Sequence, residues 1–306
     1  MDVQIVIPVY YPDDKFLSLL TSIRRQTFAT PSLLIIDSGS QHDYRKVLPA
    51  GARVEKISAE AFNHGGTRQW ATRIAPGKDV YVFLTQDAIL AENDALATLL
   101  RVFSVPDVGC AFGRQIPHVG ANPFACHARL FNYGETSYLR SLADRKTYGF
   151  KTAFISNSFA AYRGAALQEV GGFPSHVILG EDTYVAAKML LAGWKVAYMA
   201  DATVYHSHEY SIWQEFKRYF DTGVFHAREP WFRAAFGTAE GEGRRFVQAE
   251  LLYLWRKAPC LIPMMFLRDA MKFLGYRLGL WERLLPLPLK RAMSMNRNYW
   301  KEKLGA

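Results

Sequence analysis

At 306 residues the chain can bury a substantial core in one large or two modest domains, and with half its residues hydrophobic and 14% aromatic it is not a disordered polymer. The formal charge of +9 is uneven: residues 244–306 hold 13 Lys and Arg against 4 Asp and Glu, whereas the first 243 residues carry 24 of each sign. Three cysteines, Cys110, Cys126 and Cys260, lack metal-ligand spacing, which argues against a disulfide framework and for a reducing, cytoplasmic compartment. No apolar run nears the roughly 20 residues that span a bilayer. The best, 258–267, is short and flanked by Arg256-Lys257 and Arg268. The opening residues lack a basic segment followed by a long apolar one, which predicts no signal peptide.

Residues 4–9 are apolar and β-branched and read as a strand. Pro12-Asp13-Asp14 then opens a helix whose Phe16, Leu19, Leu20 and Ile23 recur at helical spacing. A second strand, 33–36, ends in Asp37-Ser38-Gly39-Ser40, and strand, helix, strand implies a right-handed parallel unit. A weaker strand signal covers 54–57. A Gly65-Gly66 turn precedes a helix over 67–74, the apolar run 80–84 reads as a buried strand ending in Thr85-Gln86-Asp87, and 93–103 reads as a helix capped by Asn93. This alternation predicts an α/β, doubly wound, mainly parallel sheet with its ligand crevice at the carboxyl ends of the strands. Beyond residue 105 the pattern loosens. Strand signals cover 108–112, 152–162, 194–199 and 201–208, Gly171-Gly172-Phe173-Pro174 is turn chemistry, and 181–191 reads as a helix stopped by Gly193.

Four polar clusters follow these elements: Asp37 with Ser38-Gly39-Ser40, Gln86-Asp87, Glu181-Asp182 and His206-Ser207-His208. Each has an ordinary reading, as a turn residue, a helix cap, a complement to a helix dipole or a solvated pair. Together with Ile5-Val6-Ile7-Pro8-Val9-Tyr10, Gly171-Gly172-Phe173 and Ala192-Gly193-Trp194, they resemble the inverting family 2 glycosyltransferases of the GT-A (Rossmann-like) fold over roughly residues 2–215. Phe62-Asn63-His64-Gly65-Gly66-Thr67-Arg68 and Tyr205-His206-Ser207-His208 are similar, more narrowly, to bacterial dTDP-L-rhamnose-dependent rhamnosyltransferases.

The resemblance implies a chemistry and a set of roles. Inverting transfer from a nucleoside diphosphate sugar is one in-line displacement, in which a base takes the acceptor proton and the departing diphosphate is neutralised. On the family pattern Asp182 is the base, and Asp87 binds Mg2+ or Mn2+ with His206 and His208 beside it. Pro8, Val9, Tyr10, Asp37, Arg68 and Gln86 contact the donor, and Asn157, Ser158, Glu181 and Trp194 shape the acceptor side. Thr85 departs from the family pattern, standing where many relatives carry a first aspartate. A UDP-sugar donor is an open alternative, as is a non-catalytic glycan- or membrane-binding protein. A nucleotidyltransferase would need a Gly-rich, Arg-containing N-terminal loop, and Ile7-Pro8-Val9-Tyr10-Tyr11-Pro12 is not one.

Composition divides the chain into a catalytic domain, 1–243 (nucleotide half 1–105, acceptor half 106–243), and a basic helical extension, 244–306. Projected as a helix, 266–285 puts Phe266, Leu267, Met271, Phe273, Leu274, Leu278, Trp281, Leu284 and Leu285 on one side and Arg268, Lys272 and Arg283 on a narrow strip opposite. That suits a helix in the headgroup region at the inner face of the cell membrane, where the resemblance implies a glycan acceptor on a polyprenyl diphosphate lipid. Packing on the catalytic domain or in a homodimer interface is the alternative. No nucleic-acid motif is present.

Overall fold

The computed structural model describes residues 1–28, 32–40, 44–237 and 240–301; the end of the basic extension, 302–306, lies outside them. Nine strands form one sheet among the described residues: β1 (Val3–Val9), β2 (Ser32–Asp37), β3 (Arg53–Lys56), β4 (Val80–Leu84), β5 (Ile89–Leu90), β6 (Val108–Ile116), β7 (Tyr138–Arg140), β8 (Phe159–Arg163) and β9 (Lys195–Tyr205). The helices are α1 (Asp14–Arg24), α2 (His64–Ile74), α3 (Ala95–Leu100), α4 (Pro123–Asn132), α5 (Arg145–Tyr148), α6 (Gly164–Glu169), α7 (Glu181–Leu191), α8 (Ile212–Arg228), α9 (Pro230–Phe236), α10 (Glu240–Lys257), α11 (Ile262–Leu280) and α12 (Leu287–Met293).

The sheet order is β3-β2-β1-β4-β8-β6-β9-β5, with β7 also pairing β9. The first four of these neighbours run parallel. β8 is inserted antiparallel between β4 and β6, and β6 and β9 are parallel again. The chain winds outward from β1 to β3 and then returns to β4, so the strand order reverses between β1 and β4, the switch point at which open α/β sheets take their ligands. The expected doubly wound, mainly parallel architecture is borne out.

Contacts divide the chain into two compact units: a sheet unit, Met1–Val119, Asn132–Ser175 and Glu181–Ser207, and a helical unit, Gly120–Phe131, His176–Gly180 and the chain from His208 onward. In the sheet unit, Ile5, Ile7, Val82 and Leu84 pack with Phe16, Leu19, Leu96 and Leu99 in one apolar core. α1 forms as its spacing predicts: Asp13 caps it by accepting from Lys15 and Phe16 N–H, and Phe16, Leu19, Leu20 and Ile23 are the buried positions. Asn93 does not cap α3. The cap position is Asp94, without a side-chain hydrogen bond, and Asn93 instead gives its carbonyl oxygen to Thr27 N–H.

Two other expectations change. Gly65 and Gly66 are not a turn but the first turn of α2, capped by Asn63, whose side chain accepts from Gly66 N–H at 2.7 Å. A Cβ on Gly65 would collide with the carbonyl oxygen of Pro174, so glycine is what lets this helix start approach the Gly171–Pro174 turn. The strands expected at 194–199 and 201–208 form the single strand β9. Its register against β6 slips between Met199↔Gly113 and Thr203↔Arg114, and that bulge is what interrupts the apolar alternation.

The helical unit is organised differently. Gly275 and Gly279 of α11 sit against the backbone of α8, where a Cβ would collide with the carbonyl oxygens of Phe216 and Phe220. The buried side of α11 carries Met265, Arg268 and Lys272. Arg268 pairs with Glu215 at 2.9 Å and donates to Tyr210 O at 2.9 Å, and Lys272 pairs with Asp269 at 3.1 Å and Glu215 at 3.7 Å. The basic strip expected to face headgroups is therefore turned inward at Arg268 and Lys272, because two buried cations require carboxylates and α8 and α11 supply them. Arg283 stays exposed. What faces solvent instead is apolar: Leu252, Trp255, Phe266, Leu267, Phe273, Leu274, Trp281 and Leu284. Among the described residues no helix is long and apolar enough to cross a membrane.

Candidate active site

The strand registers gather the polar residues at one edge of the sheet. Leu84 pairs with Phe159, and Ile116 with Tyr205. Asp87 after β4, Ser156-Asn157-Ser158 before the antiparallel β8, Gln115 near the end of β6 and His206 after β9 therefore share that edge. Trp194 precedes β9 and stands at the opposite edge, its Nε1–H donating to Glu169 at 3.0 Å. It is not brought to this site.

Asp87 Oδ1 lies 3.5 Å from His206 Nε2. Two ligands of one divalent ion at about 2.1 Å stand roughly 3 Å apart in octahedral geometry, so this spacing accommodates an ion with little movement. The imidazole is buried, and its Nδ1 is 2.8 Å from Gln115 Oε1, while Gln115 Nε2 donates to Ser156 Oγ at 2.9 Å. This chain sets the Nδ1–H tautomer and leaves the Nε2 lone pair toward Asp87. Ser158 Oγ is 3.4 Å from the same Nε2. His208 opens the helical unit two residues after His206, its ring stacked on Tyr210 with centroids 5.1 Å apart.

The second carboxylate group meets the same segment. Asp182 Oδ2 accepts from Asn157 N–H at 3.1 Å and Oδ1 from Thr183 N–H at 2.7 Å. Its neighbour Glu181 is buried, pairs with Arg68 at 3.0 Å and accepts from Asn157 Nδ2 at 3.0 Å, and Tyr162 O–H donates to Asn157 Oδ1 at 2.8 Å. Burial is the largest single influence and disfavours the Glu181 charge, but Arg68, His64 and the hydrogen bonds from Asn157 and the backbone together outweigh it and hold the acid below its ordinary value. Burial and then the Glu181 charge push Asp182 up to about 6. Adjacent carboxylates are thus driven apart: one fixed as an anion, the other poised to exchange a proton near neutrality.

Several of these residues also make contacts within the protein. Arg68 is buried against Glu181 and the His64 carbonyl oxygen. Glu181 and the Asn157 amide belong to the same network, and Ser158 sits on the Asp87–His206 side. The Val9 side chain belongs to the core. Pro8 is partly buried and Tyr10 exposed beside it. Gln86 grips Tyr10 by both backbone groups, Oε1 accepting N–H at 2.7 Å and Nε2 donating to the carbonyl at 3.1 Å, which ties the β1 and β4 loops together across the switch point. Asp37 accepts from Gly39 N–H, Ser40 N–H and Tyr44 O–H.

Sequence reasoning missed Gln115 and His118. Gln115 was detectable only as a polar side chain buried within a strand. His118, whose N–H donates to Ser207 Oγ, has its basicity lowered by burial and then by Lys15, with His206 and Asp87 also close enough to act on it.

A family model described as glycosyltransferase like family 2 matches residues 2–220. The chain is 47% identical to the O-antigen chain rhamnosyltransferase RfbN of Salmonella typhimurium, over 98% of this chain and 96% of that one. It is 49% identical to the O-antigen chain rhamnosyltransferase WbaN of Salmonella anatum, over 91% and 89%. Solved structures share the fold: a mannosyltransferase from Pyrobaculum calidifontis, in complex with GDP-Man and Mn2+, at TM-score 0.61 and 16% identity over 92% of this chain and 87% of that one. TarS 1–349 of S. aureus, in complex with UDP-GlcNAc, gives 0.55 and 14% over 93% and 92%. A family model spanning most of the sheet unit and relatives near half identity over almost the whole length make the conclusion direct: the chain belongs to glycosyltransferase family 2, on the GT-A fold.

Proposed function

We propose that the protein transfers L-rhamnose from dTDP-β-L-rhamnose, with inversion, to a glycan acceptor carried on a polyprenyl diphosphate lipid, in assembly of a cell-surface polysaccharide of the O-antigen type. The observation that carries the catalytic reading is the convergence of Asp182 and the Asp87–His206 pair on adjacent residues, Asn157 and Ser158. The sugar rests on the names of the two Salmonella relatives.

In this reading Asp182 removes the proton of the attacking hydroxyl. Its elevated proton affinity, set by burial and by Glu181, suits a base that must gain a proton during the displacement. Glu181, paired with Arg68, stays ionised, and its negative charge sustains the basicity of Asp182. Asp87 and His206 hold Mg2+ or Mn2+, a carboxylate and an imidazole being a fitting pair for such an ion. His208, two residues along and hence within about 7 Å of backbone, is the third ligand in this assignment. When bound, the ion neutralises charge growing on the departing diphosphate. Asp37, Pro8 and Tyr10 line the nucleotide side. The exposed apolar side chains of α10 and α11 support docking at the inner face of the cytoplasmic membrane, where a lipid-linked acceptor is presented.

The test is a donor panel. dTDP-rhamnose and UDP-glucose are compared for Mn2+-dependent binding and for transfer to a defined lipid-linked acceptor, with products read by mass spectrometry and linkage analysis. Transfer from the dTDP donor alone, with the opposite anomeric configuration, is the expected result; preference for the UDP donor contradicts the assignment.

A further inference from the structure

A cleft of about 340 Å³ in the helical unit is lined by Arg228, Glu282, Arg283 and Lys290. It is built from the last turn of α8, the turn that follows α11 and the helix α12. Glu282 is buried at its floor, with Arg228 Nε at 3.0 Å from one carboxylate oxygen and Lys290 Nζ at 2.7 Å from the other. Arg228 is further fixed by Nη1 donating to Tyr299 O–H at 3.1 Å, and the Lys290 ammonium lies 5.3 Å from the Trp300 ring centroid. The floor carboxylate therefore orients two cations without exhausting their donors, and Arg283 adds a third, exposed guanidinium. Three cations face one carboxylate, an imbalance that an anion would complete.

The residues next to this cleft in the chain point to where the anion comes from. Trp281 and Leu284 flank Glu282-Arg283, Leu289 precedes Lys290, and all three are exposed apolar side chains, Leu284 at 81%. A cationic cleft with greasy neighbours matches a molecule whose phosphate and hydrocarbon are adjacent. We propose that Arg228, Arg283 and Lys290 form a binding site for the phosphate headgroup of an anionic lipid. This rests on the membrane docking proposed above and gives it a lipid chemistry: the aromatic side chains of α10 and α11 supply attachment to any bilayer, and the cleft supplies preference for a phosphate that carries net charge.

The experiment is sedimentation of the full chain with vesicles of phosphatidylcholine and with vesicles of mixed phosphatidylcholine and phosphatidylglycerol, beside calorimetric titration with inorganic phosphate. The wild type should bind the mixed vesicles more tightly. Arg283→Gln should weaken that binding about fivefold, and Arg283→Gln with Lys290→Gln about 25-fold, from roughly one kcal/mol per basic residue near an anionic surface. Both should leave binding to phosphatidylcholine unchanged, while Arg101→Gln on the sheet unit should change neither. Arg283 is exposed, so its single variant remains informative if the double variant fails to fold. Equal binding of wild type and Arg283→Gln to the mixed vesicles overturns the site and leaves membrane docking standing. Absence of binding to either vesicle overturns both. Binding of inorganic phosphate that Arg283→Gln weakens, without any difference between the vesicles, assigns the cleft to a soluble phosphate and overturns the lipid.

Discussion

In the sheet unit, apolar residues fill the interior and the chemistry sits at the rim, with Ile5, Ile7, Val82 and Leu84 inside and Asp87 and Asp182 where the strands end. In the helical unit, α11 has the reverse arrangement. Arg268 and Lys272 are 8% and 7% exposed, whereas Phe273 and, on α10, Trp255 are 65% and 70% exposed. The sheet unit is thus held by apolar burial, and the α8–α11 pair by glycine-mediated backbone approach and enclosed ion pairs. The difference teaches that burial in α11 is decided by charge pairing and close backbone approach, which leaves large apolar side chains such as Phe266 and Phe273 exposed, the kind of surface that marks interaction sites.

Five variants test this contrast, beginning with those that should act most strongly. Arg68→Met removes the partner of a buried carboxylate, and the sheet unit should lose about 3–5 kcal/mol, read by denaturant unfolding. Arg268→Met should act comparably in the helical unit, by stranding Glu215. A small effect there would mean that the enclosed charges of the helical unit are not what holds α11 in place. Gly279→Ala should cost about 1–3 kcal/mol because the added methyl meets the Phe220 carbonyl oxygen; the same change at exposed Gly241, where nothing lies near the added Cβ, is the control.

Gln115→Leu should lower Mn2+ affinity about 10–100-fold by releasing the tautomer of His206, measured by electron paramagnetic resonance, with little change in fold. The smallest expected effect on stability is that of Trp255→Ser with Phe273→Ser, within about 0.5 kcal/mol for each exposed position, although the pair should abolish vesicle binding. A large loss of stability in that variant would show that these side chains are covered by protein, as in a dimer.

Much of the sheet unit was legible because periodicity and burial agree there: β1, β2, β4 and α1 form where their apolar spacing predicts. The candidate carboxylates Asp87 and Asp182 were legible because one follows a strand and the other starts a helix. The network that Arg68, Asn157 and Glu181 make with one another was not legible, because a sequence shows residue types without revealing which pairs close on one another, here Arg68 with Glu181 across more than a hundred positions. The face presented by α11 was not legible for a related reason. A helical projection fixes which residues share a side, but Gly275 and Gly279, and the carboxylate Glu215 on α8, decide which side turns inward.

The proton affinity of Asp182 gives a further handle. Its pKa is raised to about 6, so a base role requires kcat/KM to be lost as pH falls through that value and retained above it. Removing the neighbouring charge with Glu181→Gln should shift this limb to lower pH, since Glu181 raises the affinity of Asp182 for its proton.

The central claim is that Asp182 performs the chemistry beside a donor held by Asp87 and His206. The direct measurement is single-turnover transfer by Asp182→Asn at saturating donor and Mn2+, with donor affinity determined on the same sample. The account predicts a rate lowered by about 10²–10⁴-fold with donor affinity essentially unchanged; transfer at the wild-type rate would contradict it.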